Sequence, residues 1–239
     1  MELIWQTLLD WLQSVGIDLG VRLPTEVAPA VAQAADQLDL PSLLALAAVL
    51  GWASGFRLYA IVFLVGAAGA LDWIVLPSGL AVLQHPALLI ASGIMLFIEF
   101  FADKIPGLDS LWDIVHSVIR IPAGAALAAG ALGADSTTMA VAAALMGGSL
   151  AATSQAAKTT TRAAINTSPE PFSNVLASLV EDGLVVAALW LATTHPLVFG
   201  VLLLVTVVVL GVVTVLLFRF LQAVFKRLSA FFSSSQKVV

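Results

Sequence analysis

Six long apolar runs constrain this sequence more than any other feature. They fall at about residues 43–70, 87–103, 110–133, 137–157, 173–192 and 197–220. A helix needs about 20 mainly apolar residues to cross the hydrocarbon core of a bilayer, and most of the runs reach that length. We therefore predict an all-α protein, a polytopic membrane helix bundle with about six transmembrane helices.

The composition agrees with this prediction and excludes several kinds of site. Of the 239 residues, 60% are hydrophobic and only 10% are charged, whereas soluble domains carry about 25% charged residues. The chain has no cysteine, which excludes disulfides, thiol catalysis and cysteine-ligated metal sites. Its net charge of −5 argues against nucleic acid as a partner.

The sequence divides into three parts. Residues 1–40 include apolar side chains at helical spacing with polar ones between them, which predicts an amphipathic helix at the membrane interface. Residues 41–220 form the transmembrane bundle, and residues 221–239 a cytoplasmic tail. The acidic start, without a small-residue cleavage site, does not fit a signal peptide.

Lysine and arginine orient the predicted spans. The links near 72–86, 134–136 and 193–196 contain neither residue. If six helices alternate in direction, the positive-inside rule then places both termini in the cytoplasm. Proline suits the first position of a helix, so His85-Pro86 and His195-Pro196 indicate helix starts and no chemistry for either histidine.

The runs also form two halves of three, at about 43–133 and 137–220. In each half the first helix carries a Gly/Ser cluster followed by cations, and the second carries acids. Two halves of this kind predict an inverted 3+3 repeat, an architecture of transporters. The small-residue faces also favour close helix packing and a homo-oligomer.

Three charges lie near the middle of predicted spans: Arg57 in the first, and Glu181 and Asp182 in the fifth. Each charge at the centre of a bilayer costs about 2.5–3.5 kcal/mol, so these side chains must pair or face water. We expect Arg57 beside Glu181 or Asp182, with Glu99 as a second candidate partner. The alternative is a static ion pair that fixes the register of the helices.

A second concentration of charge begins the third span. Asp109, Asp113, His116 and Arg120 are spaced by four, three and four residues, which places them on one helical face. We predict that this stripe lines a wet cavity open to the cytoplasm. The alternative is an interfacial ladder in which Ser110 and Asp113 cap the helix and Arg120 snorkels to the surface.

The end of the fourth span combines cations with hydroxyl groups. Lys158 and Arg162 share a face, with Thr159, Thr160 and Thr161 between them. Such groups suit an anion such as phosphate or carboxylate. An ordinary helix end that follows the positive-inside rule is the alternative.

Enzymatic chemistry has little support in the sequence. His116 with Asp109 and Asp113 supplies only one histidine on one helix face, so we predict no metal site. No phosphate-binding glycine loop or nucleophile elbow occurs. We expect no catalytic residue and no cofactor.

Three stretches carry a resemblance to a known family. At "LGWASGFRLYAIVFLVGAAG", "FFADKIPGLDSLWD" and "AATSQAAKTTTRAAINTSPEPFSN", the chain resembles bacterial integral membrane proteins catalogued only as a domain of unknown function. The likeness covers about residues 43–195, and its most specific part is the string from Ala102 to Asp113. The resemblance implies a multi-pass protein of the bacterial inner membrane and brings no established activity.

These patterns together favour membrane transport of a small ion, an anionic solute or the headgroup of an anionic lipid. A scaffold or accessory subunit with static buried ion pairs is the alternative. The lipid bilayer is the expected partner in either case. The candidate binding residues are Arg57, Glu99, Asp103, Asp109, Asp113, His116, Arg120, Lys158, Arg162, Glu181 and Asp182.

Overall fold

The computed structural model describes residues 39–105, 107–132, 136–167 and 171–235. These residues form helices and connecting turns without a strand, which confirms the predicted fold class. Of the predicted amphipathic segment, residues 1–40, all but the last two residues lie outside the described part of the chain. The elements are α1 (Leu40–Ala70), a 3-10 helix (Ser78–Gln84), α2 (Pro86–Ala102), α3 (Leu108–Leu132), α4 (Thr137–Ile165), α5 (Pro171–Thr194) and α6 (Pro196–Ser235).

Five of these helices are long and apolar enough to cross a membrane: α1, α3, α4, α5 and α6. The 3-10 helix and α2 meet the same criterion only as a pair, and the two are bent by 68° relative to each other. The polytopic bundle is thus confirmed. Helix α6 continues to Ser235, so it extends into the segment predicted as a tail from residue 221.

Two helix starts follow the prediction from proline. Pro86 begins α2 and Pro196 begins α6, as predicted. The Nδ1 atom of His85 accepts a hydrogen bond from the backbone N–H of Ala87 at 3.2 Å, which makes this histidine a helix cap. At the start of α1, hydrogen bonds from Ser42 hold the pKa of the Asp39 carboxylate below its usual value.

Helix α1 lies at the centre of the bundle. Its most apolar 18-residue window is 72% buried, far more than that of any other span. A helix that is apolar on all sides needs such an environment, and residues 45–58 are all buried here. The helix is broken at Arg57, whose φ of −144° and ψ of 72° are not helical.

The first half of α1, residues 40–56, runs parallel to α4. Gly51 packs on Gly147, and five residues later the carbonyl of Phe56 accepts a hydrogen bond from the Lys158 ammonium. Residue numbers thus increase in the same direction along both helices. At this crossing the backbones of the two glycines lie close together.

The same half of α1 runs antiparallel to α3. Gly51 contacts Gly124, whereas Ser54 donates to the carbonyl of Arg120 at 3.4 Å. Residue numbers therefore increase along α1 in the direction in which they decrease along α3. The end of α3 accordingly lies towards the start of α1.

The second half of α1, residues 58–70, turns back at Arg57. Gly66 packs on Leu83 at the end of the 3-10 helix, and Gly79 near the start of that helix packs on Gly130. Gly130 lies beyond Gly124 in α3, on the side of the bundle where α1 begins. A straight α1 would hold the 3-10 helix far from Gly130, so α1 is a corner with Arg57 at its apex.

This corner changes the predicted topology. Six alternating helices would set the start of α1 opposite the start of α6, but Pro41 and Pro196 line one groove at the same end of the bundle. An inverted repeat would set α1 and α4 antiparallel, so their parallel packing gives that repeat no support. The side of the membrane on which the N-terminus lies stays a prediction, because residues 1–38 are not described.

We predict that Gly51→Ala destabilises the bundle. A Cβ atom at Gly51 would lie 2.5 Å from the Cα of Gly147 and 2.8 Å from its carbonyl oxygen, and neither backbone atom can move aside cheaply. Overpacking of this kind costs about 1–3 kcal/mol. Thermal unfolding of the detergent-purified protein measures the loss.

Gly183→Ala is the matched control, since a Cβ at Gly183 meets nothing within 4 Å. Alanine favours a helix over glycine by about 1 kcal/mol, so this variant should be neutral or slightly stabilised. Equal melting temperatures for the two variants would contradict the close approach of α1 and α4.

Candidate functional site

A network of buried charges surrounds the corner at Arg57. It consists of four cations and five carboxylates joined by nine ion pairs, and we call it the charge network. Asp182 has a side chain that is 26% exposed, and none of the other eight exceeds 8%. The members are Arg57, Arg120, Lys158, Arg162, Glu99, Asp103, Asp113, Glu181 and Asp182.

Arg57 joins the end of α2 to α5. Its Nη1 lies 2.7 Å from Asp103 Oδ2, and its Nε lies 3.0 Å from Asp182 Oδ1 and 3.8 Å from Glu181 Oε2. Its Nη2 also donates to Ser178 Oγ at 2.7 Å. The predicted pairing of Arg57 with the two acids of α5 is confirmed.

Arg120 forms the second centre of the network. Its guanidinium pairs with Glu99 through Nη2 and with Asp113 through Nη1, the latter at 2.8 Å. The same Nη1 donates to Gln155 Oε1 at 3.0 Å. Glu99, which was the second candidate partner for Arg57, is therefore held by Arg120.

Lys158 connects these two centres. Its Nζ lies 2.9 Å from Asp103 Oδ2, 3.0 Å from Asp113 Oδ1 and 3.6 Å from Glu181 Oε2. It also donates to the carbonyl of Phe56 at 3.1 Å, directly before the break in α1. A helix break frees backbone groups that must be satisfied inside a membrane, and this ammonium satisfies one of them.

Arg162 holds the ends of three helices together. It pairs with Glu181 Oε2 at 3.0 Å and donates to the carbonyls of Asp103 at 3.2 Å and Asn174 at 2.9 Å. These contacts link α4 to α5 and to the turn after α2. Lys158 and Arg162 thus face the protein interior, so the alternative of an ordinary solvated helix end does not hold for them.

The predicted polar face of α3 exists, but it packs against other helices. Asp109, Asp113 and Arg120 are fully buried and His116 is 7% exposed. The proposed cap by Ser110 and Asp113 is wrong, because α3 begins earlier, at Leu108, and Asp113 is turned inwards to Arg120 and Lys158. Snorkelling by Arg120 is excluded by its complete burial.

Asp109 and His116 lie outside the charge network. Asp109 accepts two hydrogen bonds of 3.0 Å from Asn166 Nδ2, which ties the start of α3 to the end of α4. The ring of His116 stacks on Trp112 with centroids 4.0 Å apart, and its Nδ1 lies 2.9 Å from the carbonyl of that residue. Both positions are structural contacts beside the network.

Sequence reasoning missed two polar residues that contact the network, Ser178 and Asn174. Ser178 accepts from Arg57, and the Asn174 side chain accepts from Arg162 at 3.2 Å. Asn174, Ser178 and Glu181 follow one another at intervals of four and three residues. That spacing puts them on one face of α5 and could have identified both.

The network has more negative than positive groups. Five carboxylates against four cations give a formal charge of −1 when all are ionised. Buried polar atoms are usually hydrogen-bonded. Within the described residues, however, one oxygen of each of four carboxylates has no hydrogen-bond partner: Glu99 Oε2, Asp103 Oδ1, Asp113 Oδ2 and Asp182 Oδ2. Four guanidinium nitrogens of the network also lack a hydrogen bond of good geometry to any described residue: Arg57 Nε, Arg57 Nη1, Arg120 Nε and Arg162 Nε.

A metal centre does not emerge from the part of the chain that the structure describes. No group of three or more His, Asp or Glu side chains there could hold an ion.

We predict that Arg120→Met strongly destabilises the protein, because it leaves Glu99 buried without its cation and Asp113 with Lys158 alone. Breaking one partner of a buried pair costs about 3–5 kcal/mol. The double variant Arg120→Met/Glu99→Gln should recover part of that loss, since it also removes one of the stranded charges. Thermal unfolding in detergent measures both.

Arg219→Gln serves as the control, because Arg219 is an exposed cation on α6. It should leave the melting temperature unchanged. A double variant no more stable than Arg120→Met would show that Glu99 and Arg120 are not energetically coupled.

Comparison with known proteins adds a family and no activity. No curated protein and no solved structure matches the chain. The family described as "Domain of unknown function (DUF4126)" matches residues 44–216, which include every member of the charge network. With most of its length matched, the chain belongs to this family of proteins of unknown function.

Proposed function

We propose that this protein is a membrane transporter for a small anion, and that it binds the anion together with a proton. The charge network is the proposed site, and each of its cations is paired with a carboxylate. The observation that carries the proposal is a network of nine charged side chains, eight of them buried, at a break in the central helix.

The cost of burying these charges supports a functional role. Each costs about 2.5–3.5 kcal/mol at the centre of a bilayer before pairing returns part of the energy. A single pair would be enough to fix the register of two helices. Nine charges drawn from five segments exceed that need, and ionisable groups within membrane spans are commonly part of ion or proton pathways.

The break at Arg57 supports the same proposal. Transporters often place their sites where a spanning helix is discontinuous, because the ends of the half-helices offer unpaired backbone groups and dipoles to a ligand. Here the break brings Arg57 beside Lys158, with 2.7 Å and 2.9 Å contacts to the same oxygen of Asp103. If Asp103 is protonated, its hold on these two cations weakens, and the cations can then bind an anion.

Coupling to a proton follows from the pairing. Every cation of the network already contacts a carboxylate, so an anion can bind only where a carboxylate gives up its cation. Protonation of a carboxylate weakens its hold on the cation. Asp182 is the most exposed carboxylate of the network and is the natural entry point for the proton.

We further propose that the end of the bundle nearest the network faces the cytoplasm of a bacterial inner membrane. Lys104 and the end of α6, which bears Arg219, lie at this end, whereas the turns at the other end contain no lysine or arginine among the described residues. The positive-inside rule gives that orientation. It puts the start of α1 on the opposite side of the membrane and so departs from the prediction that both termini are cytoplasmic. Asp113 lies five residues into α3, so the network is about 8 Å below that end at 1.5 Å per residue.

Anion binding should weaken as the pH rises. If one proton binds with each anion, affinity falls about tenfold per pH unit above the pKa of the responsible group. Thermal stabilisation of the purified protein by chloride, phosphate, bicarbonate and acetate, measured from acidic to alkaline pH, tests this. Arg57→Ala should abolish the stabilisation, and pH-independent binding would contradict the coupling.

Asp182→Asn tests which group carries the proton. Asparagine resembles the protonated acid, so this variant should keep its anion affinity at alkaline pH, where the wild-type protein loses it. Arg219→Gln, with its exposed side chain on α6, should retain the pH dependence of the wild type. An Asp182→Asn variant with unchanged pH dependence would assign the proton to another carboxylate.

A scaffold or accessory subunit is the second candidate, favoured by the structural use of the cations. Lys158 and Arg162 each donate to backbone carbonyls at the helix ends that meet near the corner. The Arg120→Met/Glu99→Gln variant separates the two functions. If the protein is a scaffold, the double variant should recover both its stability and its cellular role. If the protein is a transporter, the double variant should fold in liposomes but should not transport anions.

A further inference from the structure

A groove of about 410 Å³ lies on the side of the bundle, between the second half of α1, α2 and α5. We call it the lateral groove. Its volume is within the range of about 300–1,000 Å³ typical of ligand sites. Its walls are apolar apart from one carboxylate, and they include Ala60, Leu64, Gly93, Phe97, Phe100 and Asp182.

The lateral groove opens towards lipid. Phe97 in its wall is 65% exposed, and on the same helix Ile90 and Ile94 are 64% and 57% exposed. A spanning helix directs such a surface at the hydrocarbon chains of the bilayer. The groove is therefore reached from the membrane and suits an acyl chain.

A cation stands at the rim of this groove. Lys104 Nζ lies 3.0 Å from the centroid of the Phe100 ring, and Phe100 lines the groove. The ammonium donates to the carbonyl of Phe100 at 2.9 Å and to Ser178 Oγ at 3.3 Å. None of these three contacts is to a charged group, so the positive charge of the ammonium can attract an anionic ligand.

Lys104 differs from the other cations near the corner. Arg57, Arg120, Lys158 and Arg162 all pair with carboxylates, whereas Lys104 makes no ion pair with any residue that the structure describes. The one carboxylate in the groove, Asp182, is held by Arg57 at 3.0 Å, which offsets its repulsion of an anion. A positive rim above an apolar groove is complementary to an anionic head on an apolar chain.

We propose that the lateral groove binds an anionic phospholipid, with one acyl chain between α2 and α5 and its phosphate on Lys104. Basic groups between transmembrane helices recognise anionic lipid headgroups in this way. The proposal does not depend on transport, because none of its contacts requires the charge network to open. A lipid at this site would hold the α1 corner against α2 and α5.

Lipid binding to the full-length protein in detergent tests the proposal. Phosphatidylglycerol should bind and raise the melting temperature, whereas phosphatidylcholine, which has the same chains and no net charge, should do so about tenfold less well. Glycerol phosphate, which has the charge without the chains, should have no effect. Equal effects of the two lipids would overturn the proposal, and stabilisation by glycerol phosphate alone would assign Lys104 to a soluble anion.

Three variants assign the binding to this groove. Lys104→Gln should lower the affinity for phosphatidylglycerol about tenfold, and Lys104→Arg should retain it. Val186→Trp, at a position that lines the groove and is 54% exposed, should exclude the chain and lower the affinity while the melting temperature without added lipid stays unchanged. Arg219→Gln removes an exposed cation away from the groove and should bind normally. Unchanged binding by Lys104→Gln, or an equal loss with Arg219→Gln, would overturn the assignment.

Discussion

The break in α1 at Arg57 is the constraint on which the rest of this structure depends. A turn of the backbone inside a membrane leaves carbonyl groups without helical partners, and water is not there to bind them. Side chains of α4 provide hydrogen bonds to carbonyl groups near the break. Lys158 Nζ donates to the carbonyl of Phe56, and Ser154 Oγ donates to the carbonyl of Trp52 at 2.7 Å. These contacts require α4 to lie against the corner.

Close packing makes this possible. The Cβ-free backbones of Gly51 and Gly147 meet directly, and Gly124 of α3 contacts both. Small residues at such crossings let helices approach within reach of short side chains. The glycines therefore allow the helices to pack closely enough to bury the charged side chains.

The charge network behaves as a unit because single oxygen atoms are shared. Asp103 Oδ2 contacts Arg57 and Lys158, and Asp113 Oδ1 contacts Arg120 and Lys158. A proton on either carboxylate would loosen two cations at once. In a medium of low dielectric such shared contacts polarise one another, so a local change spreads through the group.

Much of this arrangement was predictable from the sequence. Charges inside apolar runs indicated that Arg57 would meet Glu181 or Asp182, and the spacing of Asp113 and Arg120 placed them on one face of α3. The proline positions also predicted where α2 and α6 begin. These features depend on local periodicity and on the cost of unpaired charge, both of which can be judged from one sequence.

The corner at Arg57 was not predictable in the same way. Residues 43–70 contain no proline and are apolar apart from Arg57 and a few small polar residues, so their pattern indicates a single straight span. The break is stabilised by contacts to α4 and α5 that are distant in sequence. Because the topology depends on it, the predicted alternation of six helices and the antiparallel placement of α1 and α4 failed together.

The proton count of anion binding tests the central claim most directly. Calorimetric titration of the purified protein with an anion that stabilises it, in two buffers of different ionisation enthalpy, measures the protons taken up per anion bound. The account predicts uptake of about one proton per anion near neutral pH, as follows from linkage. Binding without proton uptake would contradict it and would leave the buried charges as a structural device.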